Sequence, residues 1–271
     1  MTHTAVAGLV GYETLQWESP DPEVLVVRFN RPGAANALNT QMGRDVLELF
    51  TAIALQPGDL RCIILTGAGE RSFCAGGDLK ERDGMSDEAW CAQHVIFEHA
   101  FAALRGCPVP VIAAVNGAAF GGGCEFALSC DFIIAAKSAR FAQTETRLGI
   151  IPGCGGTQLL ARAVGAARAK ELIFTATPFD AGQALAWGMV SRVVPDAELR
   201  DEALATARAI AANAPVAVRQ AKAAISNGVD LDLNSGLQVE LGAYNRTVPT
   251  ADRREGVHAF VARTAPRFTG S

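Results

Sequence analysis

Residues 117–130 read GAAFGGGCEFALSC. Three consecutive glycines, Gly121 to Gly123, run into a lone Glu125 inside an otherwise apolar stretch from Val109 to Ala136. Glycine weakens helix and strand alike, and an acid is costly in an apolar core. The stretch is long enough to cross a bilayer, but Asn116, four glycines, Glu125 and Asp131 interrupt it and no aromatic belt flanks it. It reads better as a buried strand, a glycine turn and a buried helix over 123–130. The first N–H groups of such a helix lack intrahelical partners, and its dipole adds positive charge there. Without side chains in the way, a ligand oxygen can approach that backbone, which makes an anion or oxyanion receptor of main chain. A tight packing turn is the competing reading, and the segment alone does not decide between them.

Outward from this point, strands alternate with helices. YETLQWE (12–18) and VLVVRFN (24–30) read as a strand pair around a turn-rich SPDPE spacer, and NRPGAANALN follows as loop. Val46, Leu47, Leu49, Phe50 and Ile53 give helical spacing from Thr40 to about Leu55, and RCIILTG (61–67) is a short buried strand. GAGERSFCAGGDLKERDGM reads as one long loop, a size usually tied to function. Ser86 can cap the next helix, with Asp87 and Glu88 in its first turn and an end near Leu104. PVIAAVNG, DFIIAAK and RFAQTE read as strands, GIIPGCGGTQ as a second glycine-rich loop, and the remainder as helices. The expected architecture is α/β, with an α/β core over residues 1–200 and a helical C-terminal region over 201–271.

Composition narrows the function classes. The chain has 271 residues, 49% hydrophobic and 19% charged, which is globular and long enough for a large core. A net charge of -4 argues against nucleic acid as the main partner, since phosphate binding needs a concentrated basic surface. Seven cysteines without a CxxC pair fit a reducing compartment better than a zinc or disulfide framework. The N-terminal MTHTAVAGLVGYETLQWE lacks a basic segment followed by a long apolar run, so the expected location is cytoplasmic.

The nucleotide motifs do not fit. NGAAFGGGCE departs from GxGxxG, and no GK[ST] is present for a phosphate loop. His94 and His99 in HVIFEH lie about 140° apart on a helix, against the i, i+4 pairing of metalloprotease helices, so they read as helix surface and no metal is expected. In SFCAGGDLKE (72–81), backbone around Ala75–Gly77 could expose another N–H, and Lys80 could meet a phosphate or simply be solvated. Glu145, in FAQTETRLGIIPGCGGTQ (141–158), reads in isolation as an exposed, salt-bridging acid.

Taken together, SFCAGGDLKE, NGAAFGGGCEFALSCD and FAQTETRLGIIPGCGGTQ resemble the enoyl-CoA hydratase/isomerase (crotonase) superfamily in order and spacing, most of all its enoyl-CoA hydratases. NRPGAANALN and EGVHAFVARTAPRF extend the resemblance from about Tyr12 to Phe268. It implies a spiral of β-β-α turns with a helical C-terminal trimerisation region, assembled as a homotrimer or homohexamer. It also implies a 2-enoyl thioester whose coenzyme A is part of the substrate, with no separate cofactor and no membrane partner. By the same resemblance, the backbone N–H groups of Gly77 and Gly122 form an oxyanion hole, and Glu125 and Glu145 are the catalytic acids. Ala75, Gly77, Asp78, Leu79, Lys80 and Gly122 would line the coenzyme A side.

Two positions depart from the pattern. Gly77 stands where alanine is common, which a backbone donor tolerates, and Gly33 stands where many relatives carry a cation near the phosphates; Arg71 is a possible substitute. The resemblance leaves alternatives within the superfamily: isomerisation of 3-enoyl thioesters, or hydration of 3-methylglutaconyl-CoA, whose second carboxylate would need a cation such as Arg82 or Arg147. A non-catalytic acyl-CoA-binding protein is a further alternative. RNA binding, known in one relative, would need a lysine-rich helix after NALN, where TQMGRDVLELFTAIALQ offers only Arg44.

Overall fold

The computed structural model describes residues 11–271; most of the N-terminal stretch read above for targeting signals lies outside them. Strands β1 (Leu15–Asp21) and β2 (Val24–Phe29) pair antiparallel, and a register break between Glu18 and Asp21 carries β1 on through the expected spacer. Helix α1 (Thr40–Leu55) starts where the Asn39 side chain accepts from Met42 N, and it buries Val46, Leu49, Phe50 and Ile53. Then the chain alternates between two sheets. β3 (Cys62–Gly67), β5 (Val111–Val115) and β7 (Phe132–Ala136) extend the first sheet in parallel, while β4 (Ser72–Cys74), β6 (Ala118–Phe120) and β8 (Arg140–Ala142) build the second. Helices follow each strand pair: α2 (Leu79–Arg82) and α3 (Asp87–Arg105), then α4 (Gly122–Ser129), then α5 (Gly156–Val164). This is a spiral of β-β-α turns.

The expected long loop after β3 is therefore not all loop. Phe73 and Cys74 are fully buried because β4 pairs with β6, and Asp78 caps α2 by accepting from Lys80 N. Nor is the C-terminal half all helix. Beyond α6 (Ala166–Thr175), β9 (Phe179–Asp180) pairs with β8, and past α7 (Ala181–Ala186), β10 (Arg192–Val194) closes the first sheet beside β7. Strands of two or three residues are too short to show alternation in sequence.

Helix α8 (Leu199–Ala211) packs on β3, β5 and β7, so the expected boundary at 200 falls inside its first turn. After it come α9 (Pro215–Gly228), α10 (Leu233–Thr247) and α11 (Ala251–Ala262), which leave Ile225, Leu233, Leu237, Tyr244 and Phe260 exposed. Among the described residues no helix is long and apolar enough to cross a membrane. All seven cysteines are free.

Aromatic packing fixes the part of the spiral that matters most. Phe126 of α4 stacks on Phe101 of α3 at 4.1 Å between centroids and meets Phe29 of β2 at 4.8 Å. Phe29 in turn meets Phe73 of β4 edge-on at 5.4 Å. Each such pair adds about 0.5–1.5 kcal/mol beyond area burial, and together they hold α4 against β4. The loop before α1 is tied to the same place. Asn36, fully buried, donates to Ala68 O and Ser72 O and accepts from Arg31 N.

Candidate active site

The three glycines have separate tasks. Gly121 turns the chain at φ 50°, where an L side chain is strained, and its N–H donates to Ala142 O at 2.8 Å. Gly122 is the first residue of α4, so its N–H has no partner four residues back. A Cβ there would meet nothing closer than 3.6 Å, leaving open approach. At Gly123, by contrast, a Cβ would fall 1.9 Å from the Cys74 carbonyl oxygen, so only glycine lets α4 rest on β4. Open approach and tight packing thus fall at neighbouring residues.

A second bend stands next to this one. Leu38 bridges to Gly77 in parallel fashion: Leu38 N donates to Gly76 O at 2.8 Å, and Asp78 N donates to Leu38 O at 2.9 Å. That pairing spends the groups on either side of Gly77 and turns its own N–H away from Leu38. A Cβ on Gly76 would lie 3.6 Å from the Gly122 nitrogen, so the two bends touch. Both open on a cavity of about 920 Å³ whose walls include Gly77, Gly122, Glu125 and Glu145.

The two acids converge on the same turn from opposite supports. Glu125 is 2% exposed, and its Oε1 accepts from Cys154 N at 2.8 Å and Gly156 N at 2.7 Å. Burial raises its pKa, while these two main-chain bonds and the nearby His94 and Arg105 pull it back toward the ionised form. Glu145 opens the 3-10 turn Glu145–Leu148, and its Oε1 lies 2.8 Å from where a Cβ on Gly121 would be. It is 9% exposed and its Oε2 has no hydrogen-bond partner. Burial first, and the Glu125 charge second, push its pKa up to about 7. Burial raises both carboxyls, yet the pair is asymmetric in its hydrogen bonds: two main-chain donors hold Glu125 Oε1, and none reaches Glu145 Oε2. Such asymmetry suits one acid to take a proton and the other to give one.

Of the other residues singled out, Ala75 and Leu79 line the cavity with Gly77 and Gly122, whereas Asp78 and Lys80 do not. Asp78 forms an ion pair with Arg31 at 2.9 Å, which with hydrogen bonding holds its carboxyl below the usual range against a desolvation penalty that is the largest single influence. Lys80 is exposed. Arg71 lines a separate cavity of about 750 Å³ beside α8. Arg147 is exposed and outside the main cavity, while Arg82 lines it. The expectation that Glu145 is an exposed acid when read alone is overturned: β8 carries it inward. His94, read as helix surface, lines the cavity, half-buried and within 3.5 Å of Glu98. Sequence reasoning passed over the donors at Cys154 and Gly156 and over Arg105, whose Nη1 donates to Cys154 O at 3.2 Å. The glycines of GIIPGCGGTQ were their only signal. Among the described residues no group of three or more His, Cys, Asp or Glu is arranged to hold a metal.

A β-β-α spiral with its cavity where two of its turns meet belongs to the crotonase class of folds. A family model described as enoyl-CoA hydratase/isomerase matches residues 21–271. The chain is 43% identical over 241 residues to a short-chain-enoyl-CoA hydratase of Clostridium acetobutylicum, covering 89% of this chain and 92% of the relative. It is 38% identical over 259 residues to a crotonyl-CoA hydratase of Syntrophomonas wolfei, covering 96% and 99%. The crystal structure of an enoyl-CoA hydratase from Bacillus anthracis superposes with a TM-score of 0.93 at 44% identity, over 96% of this chain and all of that one. The chain belongs to the enoyl-CoA hydratase/isomerase family.

Proposed function

We propose that the protein is an enoyl-CoA hydratase, adding water across the C2=C3 bond of a 2-enoyl-CoA thioester to give the 3-hydroxyacyl-CoA. The observation that carries this is the asymmetric acid pair facing the glycine turn. As water attacks C3, negative charge moves to the thioester carbonyl oxygen. The Gly77 and Gly122 N–H groups are assigned to receive that oxygen; one donor of this kind is worth about 2.7–4 kcal/mol in the transition state. Glu125, its Oε1 held by two amides, keeps Oε2 for the water and takes its proton. Glu145, whose pKa is pushed up to about 7 so that its protonated form persists at neutral pH, delivers a proton to C2 on the same face. Hydration so described balances without redox or metal chemistry, and coenzyme A enters only as part of the substrate. Ala75 and Leu79 are assigned to its pantetheine side; Asp78 would act there by holding the bend through Arg31, and Lys80 by reaching a phosphate from the surface.

The apolar residues left exposed on α9, α10 and α11 support assembly as a homotrimer or homohexamer through residues 201–271. Free cysteines throughout agree with a cytoplasmic location. The test is loss of the enoyl-thioester absorbance with crotonyl-CoA and purified protein. Turnover supports hydration; turnover of only a 3-enoyl thioester would make the protein an isomerase, and tight binding without turnover a carrier.

A further inference from the structure

The cavity of about 750 Å³ between the first sheet and the start of α8 shares no lining residue with the one that holds the two acids. Ligand sites are commonly of this size, and side chains packed to ordinary density leave few gaps larger than a water molecule. Its exposed rim, Gly69 to Arg71, directly follows the carboxyl end of β3, which runs parallel to β2 and β5. Open α/β sheets place their ligands at that end of the strands. Ala114, Ala136 and Ala203 line the cavity with no more than a methyl each, where larger side chains would let α8 close on the sheet.

The lining is graded from apolar to charged. Three strands each supply an apolar residue and, two positions further toward the carboxyl end on the same face, a polar one: Val26 then Arg28, Ile64 then Thr66, Ala114 then Asn116. From α8, Ala203 and Leu204 join the apolar end, and Arg200 joins the polar one, tied to Arg28 through Glu18. The neutral polar groups are already occupied. Thr66 Oγ1 donates to Ala114 O at 2.7 Å, and the Asn116 amide accepts from Gly67 N and donates to Gly67 O and Gly69 O. What the rim offers a ligand is therefore charge. Glu18 serves two arginines, and Asp196 accepts from Ser138 N at 3.0 Å with Lys137 nearby. Among the described residues Arg71 forms no ion pair with a carboxylate. Arg28, Arg71, Arg200 and Lys137 thus outnumber Glu18, Glu70 and Asp196 by one, a balance that suits a single negative charge.

We propose that this cavity is a second ligand site for an amphipathic monoanion, a carboxylate on an unbranched alkyl tail, with the head at Arg71 and Arg200 and the tail against Val26, Ile64, Ala203 and Leu204. Arginine suits the head because its guanidinium matches a carboxylate bidentately. The tail gains by leaving water for the apolar end. A ligand rich in neutral hydrogen-bonding groups, such as a base or a sugar, would find Thr66 and Asn116 already paired. The site uses neither bend and neither acid, so it stands apart from the hydratase reading.

The experiment is equilibrium dialysis of octanoate against the purified full-length protein at neutral pH. Octanoate should bind at least about 10-fold more tightly than butanoate, whose shorter tail buries less apolar surface. Octylammonium, with the same tail and the opposite charge, should bind at least about 10-fold more weakly than octanoate. Ala203→Phe, its fold checked by circular dichroism, fills the apolar end and should abolish octanoate binding. Arg71→Met should weaken it about 5-fold, a modest factor because the cation is exposed. Octanoate affinity that survives Ala203→Phe puts the ligand elsewhere and overturns the proposal. So do equal binding of octylammonium, equal binding of butanoate, and no bound octanoate in the wild type. Should Ala203→Phe not fold, the exposed Arg71 decides: an unchanged octanoate affinity in Arg71→Met refutes the site.

Discussion

Glu145→Gln should make the enzyme slower and, above neutral pH, more stable. The side chain is 9% exposed, its Oε2 lacks a partner, and burial together with the Glu125 charge raises its pKa from 4.5 to about 7. An acid whose pKa is raised in the folded state binds its proton more tightly there than in the unfolded chain. Stability is therefore full below about pH 4.5 and falls as pH rises through 7. At about 1.4 kcal/mol per pH unit, the loss is at most roughly 3 kcal/mol by pH 8. Glutamine keeps the shape and cannot ionise, so the variant should match wild type at pH 4.5 and exceed it by up to about 3 kcal/mol at pH 8. It also cannot deliver a proton to C2, and crotonyl-CoA hydration should fall at least about 100-fold, the low end for acid–base groups. The measurements are urea unfolding at both pH values, at one protein concentration so that assembly contributes equally, and initial rates by enoyl absorbance. Near-normal turnover would refute the assigned role. A stability difference that ignores pH would refute the electrostatic reasoning behind it.

Glu125→Gln should also lower hydration at least about 100-fold while leaving an oxygen for Cys154 N and Gly156 N, so its fold, checked by circular dichroism, should be intact. Gly123→Ala forces a methyl to within 1.9 Å of the Cys74 oxygen and should cost several kcal/mol in urea unfolding, about 3 or more; Gly122→Ala, with open space around it, should stay within about 1 kcal/mol of wild type. Arg105→Gln removes both a hold on the Cys154 carbonyl and a charge that lowers the Glu125 pKa. The acid limb of its kcat/KM profile should move to higher pH, a displacement that simple loosening of the loop would not produce. Gel filtration should give an assembly of three or six 28.4 kDa chains, and Phe260→Glu should weaken it.

How far the sequence alone reaches differs from element to element. Helix α1 is plain in it because apolar residues recur with helical period, and α3 because Ser86 can cap it with Asp87 and Glu88 in its first turn. Strands β2, β3, β5 and β7 are apolar runs bounded by turns. Of the second sheet only β8 is visible, within RFAQTE; β4 and β6 have three residues each and acquire their identity only by lying beside one another. Glu125 stands out because an acid inside an apolar run needs a reason. Glu145 does not, because Arg147 beside it imitates a surface pair and only the path of β8 turns the acid inward. The grip of Cys154 and Gly156 on Glu125 spans about thirty residues of chain, a separation over which no local pattern in the sequence carries information. Gly122 and Gly123 look alike on paper, yet one faces open cavity and the other the Cys74 carbonyl; packing alone distinguishes them.

In the proposed reaction two bends and two acids act on one thioester. A crystal structure with butanoyl-CoA, a saturated ligand that binds without reacting, tests it most directly. The thioester oxygen should lie within about 3.1 Å of both the Gly77 and Gly122 nitrogens, with the carboxyl groups of Glu125 and Glu145 on one face of C2 and C3. A thioester oxygen bound elsewhere, or acids on opposite faces of the acyl chain, would contradict it.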